Sequence, residues 1–417
     1  MLKKIVTLFL AILIGAGCFA ACSKEDDTID SDSQETVDSS DNTDNNESTN
    51  GNNSTDDNDK DDDKTLTPQM FKLTSATPGI KILGVRNLAS ENGLHMDWSC
   101  SGVEFAIDLN GGSVRLAINA SDPCMFRVWI DGMEYKQNES EYFIVSGANG
   151  NITLNNIPEG KHTIKIMKVT GYTLARAELT GVMFAGSMLT DVVDTSDKDM
   201  YIEFIGDSIT CGWGTIGAYS GAYTDQDGTY AYSYLLAETF NADYSMTALS
   251  GQGLLCGEPG VTNGYLYADP IGNSETLYGF ERKADIVVIN IGTNDYAQRV
   301  GEENFKAAYL NILRTVREKN GDGCKILCLY NAMNDTYAAA ILEAVEEFGG
   351  VLEGVSVYKL EQSNGGGHPN IDEHKAYSET LKEVIETLPE KFVHDFTVIP
   401  EGDGDGNSMD FGQLNKG

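Results

Sequence analysis

Positive charge is what this sequence has least of. Only 29 lysines and arginines face 64 aspartates and glutamates, a formal net charge of −35 over 417 residues. Nucleic-acid binding needs a basic stripe, and none is visible. An anionic membrane surface is an equally poor partner. A bilayer-spanning apolar stretch is missing as well, because the run from Ile5 to about Ala16 is too short. Metal-binding patterns are thin. Cys324 and Cys328 have no histidine beside them, which makes a poor zinc site. Four apart on one strand they are separated by about 13 Å, too far for a disulfide. Asp61-Asp62-Asp63 lacks a glycine turn and spaced ligands, and the Asp403–Asn407 run puts Leu414 where a calcium loop carries its closing acid. No metal or other cofactor is implied.

What is present divides by composition. Lys3 and Lys4 precede the short apolar run, which ends in small residues and cysteine, the pattern of a secretory signal over residues 1–21. Small residues before Cys18 and Cys22 make both resemble the lipidated cysteine of a bacterial lipobox. Cys22 is the expected lipidation site, because Ser23-Lys24-Glu25-Asp26-Asp27 looks like a surface-export tag. Plain secretion with cleavage nearby is the alternative. Between Lys24 and Lys64 sixteen acids face three lysines, a balance of −13. Two lysines of the leader add +2, so residues 65–417 hold −24 of the total. A stretch so polar cannot bury enough surface to offset its ordering entropy, and its like charges extend it. Residues 22–65 therefore read as a disordered acidic tether. The expected location is the outer membrane, surface-exposed and held by the N-terminal lipid alone, with a periplasmic or secreted protein as the alternative.

Two folded regions follow, with different periods. Over about 69–186 the period is two: Val103, Phe105, Ile107 and Leu109 alternate with polar or small residues, as do Val114, Leu116 and Ile118, then Phe126, Val128 and Ile130. Turn signals stand between them at Asn110-Gly111-Gly112, Asp131-Gly132, Asn149-Gly150 and Glu159-Gly160. This predicts an antiparallel β-sandwich over 66–186. After about Met200, strands alternate with helices. Tyr201–Ile205, Tyr244–Leu249, Ile286–Ile291 and Ile326–Leu329 read as strands. Tyr232–Phe240, Phe305–Arg317, Ala338–Phe348 and Lys375–Leu388 read as helices. Such alternation predicts an α/β domain with a mostly parallel sheet over 187–394. Residues 395–417 read as a tail.

Ligands of parallel sheets bind at the carboxyl ends of the strands. Four segments fall there: Gly206-Asp207-Ser208-Ile209-Thr210, Ser250-Gly251-Gln252-Gly253, Gly292-Thr293-Asn294-Asp295 and Gly365-Gly366-Gly367-His368-Pro369-Asn370. A serine just beyond a strand can present its hydroxyl for acyl transfer. Gly251 N–H and the Asn294 amide can donate to an oxyanion, together with Ser208 N–H. His368, read as an N-cap followed by Pro369, is the expected general base. Asp207 reads as a carboxylate organising the nucleophile turn. Trp213 either lines the substrate site or fills the loop. His162 is expected to be structural. His374 does not share a helix face with His368 and is expected at the surface. Cys211 with Cys256, and Cys100 with Cys124, are candidate disulfides.

In this order, the four segments resemble the blocks of the SGNH (GDSL-like) hydrolases. The longer run Gly206-Asp207-Ser208-Ile209-Thr210-Cys211-Gly212-Trp213-Gly214, His368-Pro369-Asn370 and a preceding β-domain with Asp97–Phe105 and Lys161–Ile164 are most similar to carbohydrate esterase family 2. That resemblance covers about 66–390. It implies an SGNH three-layer domain behind a jelly-roll β-domain. The implied substrate is an acetylated plant-type polysaccharide such as xylan or mannan, or its oligosaccharides, deacetylated through an acyl-enzyme. One position departs from the general SGNH pattern: where an aspartate usually precedes the histidine by three, Gly365 stands, and no acid lies between Glu361 and Asp372. Members of family 2 are known for lacking that acid, so the resemblance implies a Ser–His dyad with a backbone carbonyl orienting the imidazole. The other readings are an SGNH esterase acting on another acylated glycan or lipid, and a non-catalytic glycan-binding lipoprotein.

Overall fold

The computed structural model describes residues 67–392, apart from 87, 218–221, 258–259, 270–276 and the Asn364 side chain. The expected signal peptide, the lipidation site Cys22, the tether and the tail 395–417 lie outside the described residues.

Between Gln69 and Leu189 the chain forms ten antiparallel strands. Alternation builds them: Val103, Phe105, Ile107 and Leu109 of Ser101–Leu109 all point into one core, with Val114, Leu116 and Ile118 from the next strand. That next strand, Gly112–Ile130, organises the rest, pairing with Phe143–Ile157, Gly160–Lys168 and Ala177–Phe184. Its register shifts between Gly112 and Val114 and again between Ile118, Ala120 and Cys124. Such shifts bend and twist a strand, so one strand passes from one set of neighbours to another. Hydrogen bonds consequently link all ten strands into one continuous sheet, where two stacked sheets were expected.

From Tyr201 the architecture changes. Five strands in the order Asp243–Ala248, Tyr201–Gly206, Ile286–Asn290, Lys325–Tyr330 and Val355–Lys359 make an all-parallel sheet. The last of these carries no strong apolar run and was not expected. Both faces are covered, as parallel strands require. Tyr201, Ile205, Val287 and Ile289 pack with Phe305, Tyr309 and Leu313 of helix Glu302–Asn320. Ile202, Phe204 and Val288 pack with Tyr232 and Leu236 of helix Tyr232–Thr239 and Leu381 of helix Ile371–Glu386. Helix Glu302–Asn320 runs beyond its expected ends at Phe305 and Arg317. Glu302 and Glu303 occupy its first turn, Arg317 and Lys319 its last, each opposing the helix dipole.

Two arginines from the antiparallel region seal the seam between the sheets. Arg86 pairs with buried Glu203 at 2.6 Å, donates to Tyr265 O at 2.7 Å, and stacks 4.4 Å from the Tyr265 and Tyr278 rings. Arg127 binds Glu134, Asp227 Oδ2 at 3.2 Å and Thr229 Oγ1 at 2.6 Å. For function the decisive feature is register. Gly206 lies opposite both Ala248 and Asn290, so three strands end level and release their loops on one side.

Candidate active site

Ser208 follows the strand end Gly206 and opens the short helix Ser208–Cys211. Only glycine fits at 206, because a Cβ there would stand 2.1 Å from Thr210 Oγ1 and 2.9 Å from Asn290 O. The turn can therefore tuck tightly under the serine. Asp207, 1% exposed, caps it by accepting Ile209 N–H at 3.0 Å. Burial, with Asp295 nearby, pushes the Asp207 carboxyl up to about 7.

His368 reaches this turn from the far end of the chain, its Nε2 2.7 Å from Ser208 Oγ. Burial pushes its imidazole down to about 4. At neutral pH the ring is uncharged and able to accept a proton. The N-cap of the final helix is not His368 but Asn370. The Asn370 side chain accepts from Asp372 and Glu373 N–H at 2.9 and 3.0 Å, and Glu373 returns the bond to Asn370 N–H at 2.8 Å. An Asn side chain can make this reciprocal box and a histidine cannot. His368 thus belongs to the lead-in segment, free of capping duty. Gly365, where the general pattern has an acid, takes a left-handed φ of 70°.

Asn294 sits in the short helix Thr293–Ala297 beyond the third level strand. Its Nδ2 donates to Gln252 O at 2.8 Å and lies 3.4 Å from Asp207 Oδ2. Gly251 occupies the same loop as Gln252, with φ at 81° and open space where a Cβ would be. The next residue, Asp295, is fully buried and accepts the Leu254 and Leu255 amides at 2.8 and 2.9 Å. It anchors the loop that carries Gly251. Ser208, Gly251, Asn294 and His368 therefore come from four separate segments to one end of the parallel sheet. A serine, a neutral histidine base and two amide donors can together perform acyl transfer.

The sequence from 204 to 405 matches the model of the GDSL-like lipase/acylhydrolase family. The chain carries a GDSL-like hydrolase domain. Over 326 residues it is 28% identical to the cellulase/esterase CelE of Acetivibrio thermocellus, covering 73% of this chain and 39% of that protein. The chain thus spans well under half the length of this relative. It is also 24% identical over 310 residues to an acetylxylan esterase/glucomannan deacetylase of Cellvibrio japonicus, covering 68% of this chain and 83% of that one. A family two carbohydrate esterase from Clostridium thermocellum, solved in complex with cellohexaose, aligns with a TM-score of 0.63 at 26% identity. That match covers 74% of this chain and 98% of the other, so it takes in more than the GDSL-like domain.

Other residues fall into place around the hydrolase domain. Trp213 is half-buried, and its backbone N–H donates to Ser208 O at 2.9 Å, which ties the residue to the nucleophile turn. His162 is held by Asp131 Oδ2 at 2.7 Å and Pro158 O at 3.0 Å, a structural pairing in the antiparallel sheet. Neither candidate disulfide forms, for Cys100, Cys124, Cys211 and Cys256 are all free thiols. Among the described residues no group of three or more histidines, cysteines or acids is arranged to hold a metal ion. His374 is the largest departure. Expected at the surface, it is fully buried, with Nδ1 accepting the Tyr232 N–H at 3.2 Å. Sequence reasoning missed it because its partner arrives from a helix some 140 positions away.

Proposed function

We propose that the protein is a carbohydrate O-acetyl esterase that deacetylates plant-type polysaccharides such as xylan or mannan, or their oligosaccharides. The observation that carries this reading is the 2.7 Å contact between Ser208 Oγ and His368 Nε2 at the level ends of the parallel strands. Ser208 Oγ attacks the acetyl carbonyl as His368 Nε2 takes its proton. The oxyanion is received by Ser208 N–H, Gly251 N–H and the second N–H of Asn294, whose first is committed to Gln252 O. The 3.4 Å approach to Asp207 is at the long limit of a hydrogen bond, so that second N–H is easily redirected. The imidazolium then protonates the departing sugar oxygen, leaving acetyl-Ser208. Water, deprotonated by the same histidine, attacks the acetyl group and releases acetate.

With Gly365 in place of an acid, Ser208 and His368 act as a dyad, the imidazole being oriented by a backbone carbonyl. Orientation is the main task of the missing acid, so a carbonyl fixing the same tautomer keeps most of the rate. The antiparallel region serves as a jelly-roll-like wall of the substrate cleft, and Trp213 borders the sugar. The names of the relatives support the substrate class. The leader, Cys22 and the acidic stretch after it support display as a surface lipoprotein of the outer membrane. A neutral polysaccharide suits a folded region that is itself strongly acidic.

Acetate release from a chromogenic acetate ester, and then from a panel of acetylated xylan, glucomannan and other glycans, tests this reading. Turnover lost on Ser208→Ala is the expected result. Turnover that survives Ser208→Ala, or no acetate from any glycan, overturns it.

A further inference from the structure

Among the described residues, His374 is the one buried histidine that the acyl-transfer scheme does not use. It lies between two aromatic rings: nearly parallel to Tyr232 with centroids 6.1 Å apart, and edge-on to Tyr377 at 6.3 Å. Nδ1 accepts a backbone N–H, so that nitrogen bears no proton and the ring is neutral, with its proton on Nε2. Nε2 is buried and meets no acceptor among the described residues. A buried polar donor left in that state costs stability. An apolar side chain would avoid that cost, so the imidazole is present for its acceptor.

That acceptor joins two parts of the active site. On one side, His374 belongs to the first turns of helix Ile371–Glu386, where its N–H bonds to Asn370 O at 3.0 Å. Asn370 is the N-cap, and His368 stands two residues before it. On the other side, Tyr232 reaches Thr210 Oγ1 with its hydroxyl at 2.9 Å, while neighbouring Ser233 Oγ donates to Thr210 O at 2.7 Å. Thr210 lies two residues beyond Ser208 in the nucleophile turn and fills the space against Gly206. The nucleophile turn and the base-bearing segment have no sequence proximity, yet they must hold one short contact.

We propose that His374 is a positioning residue: it clamps the lead-in to His368 against the Tyr232–Thr210 strut and so sets the distance between Ser208 Oγ and His368 Nε2. The clamp rests on Ser208 and His368 acting together, as in the proposed function. Burial pushes the His374 imidazole down to about 3, with His368 nearby acting in the same direction. The clamp is therefore neutral wherever the base is, and places no second cation beside the imidazolium that forms in the reaction.

The experiment compares His374→Phe, His374→Asn and Tyr232→Phe in the full chain. Three readouts are used: kcat and KM on a chromogenic acetate, the rate at which a fluorophosphonate probe labels Ser208, and Tm. Small misplacements of reacting groups are costly, so His374→Phe, which keeps the ring but has no acceptor, lowers kcat and labelling together by about tenfold or more, with KM within about twofold. His374→Asn puts an acceptor near the Nδ1 position and recovers kcat to within about threefold, while its Tm stays depressed by the lost ring volume. Tyr232→Phe removes only the strut hydroxyl and slows labelling by about threefold or more. The clamp is overturned if His374→Phe or Tyr232→Phe labels at the wild-type rate, or if kcat merely follows Tm across the variants. Wild-type protein that takes the probe but hydrolyses no acetate ester would sink the esterase reading instead. Labelling rates would still decide the role of His374.

Discussion

The two ends of the inter-sheet architecture treat buried polar groups in opposite ways. At the seam, charges are paired. Arg86 has a carboxylate, a carbonyl and three aromatic faces, and Arg127 has Glu134, Asp227 and Thr229. Asp227 in turn takes Tyr142 O–H at 2.9 Å and Thr229 N–H at 2.8 Å. At the level strand ends, burial itself governs the groups. It is the largest influence on both, lowering His368 and raising Asp207. Paired charges define one geometry and hold it. Asp207, raised to about 7, can exchange a proton near neutral pH, whereas His368, lowered to about 4, stays uncharged there and open to accept one.

The comparison can be broken by mutation, beginning with the largest effect. Ser208→Ala should lower kcat on an acetate ester by at least about 10⁴-fold while leaving Tm near the wild-type value, since only a hydroxyl at a turn is lost. At the seam the balance should reverse. Arg86→Leu leaves the Glu203 carboxylate buried and unpaired, at a cost of about 3–5 kcal/mol, read by urea unfolding. Protein that remains folded should keep most of its kcat. If Arg86→Leu removed activity without removing stability, the division between holding and reacting groups would be wrong. Asn294→Ala should cost about 10²–10³ in kcat with little change in KM, because its donor matters most when the oxyanion forms.

The smallest expected effect sharpens the electrostatic side. A base with its pKa depressed to about 4 is neutral above that value and lost as pH falls through it. The acid limb of kcat/KM should therefore bend near pH 4, and not at the ordinary histidine value near 6.5. Measured on a chromogenic acetate between pH 3.5 and 8, a bend near 6.5 would mean that substrate-free burial does not control His368.

Much of the site was legible in local sequence. Ser208, Gly251, Asn294 and His368 each follow a strand or precede a helix whose period is visible in the residues around it, and strand ends are where a parallel sheet places its ligands. Residues whose meaning depends on a distant partner were not legible. His374 looks like any polar position on an amphipathic helix until Tyr232 is packed against it. Asp295 has no visible task in the sequence until the amides of Leu254 and Leu255 are brought to it. The N-cap was misplaced by two residues, because proline after His368 suggested a helix start that the Asn370–Glu373 box takes instead. Cysteine pairing failed for a similar reason: spacing along the chain says nothing of whether two thiols face each other.

By itself, the sequence determined the two periods, the order of the elements and the identities of the chemical groups, because strand and helix patterns are written in neighbours two to four residues apart. Tertiary structure alone decided which groups meet. It joined the antiparallel strands into one sheet through bulges in a single long strand. It also brought Ser208 and His368 within 2.7 Å across 160 positions and enclosed His374 behind them. Contacts of that kind depend on the packing of whole elements, and burial then sets the proton affinities on which the chemistry depends.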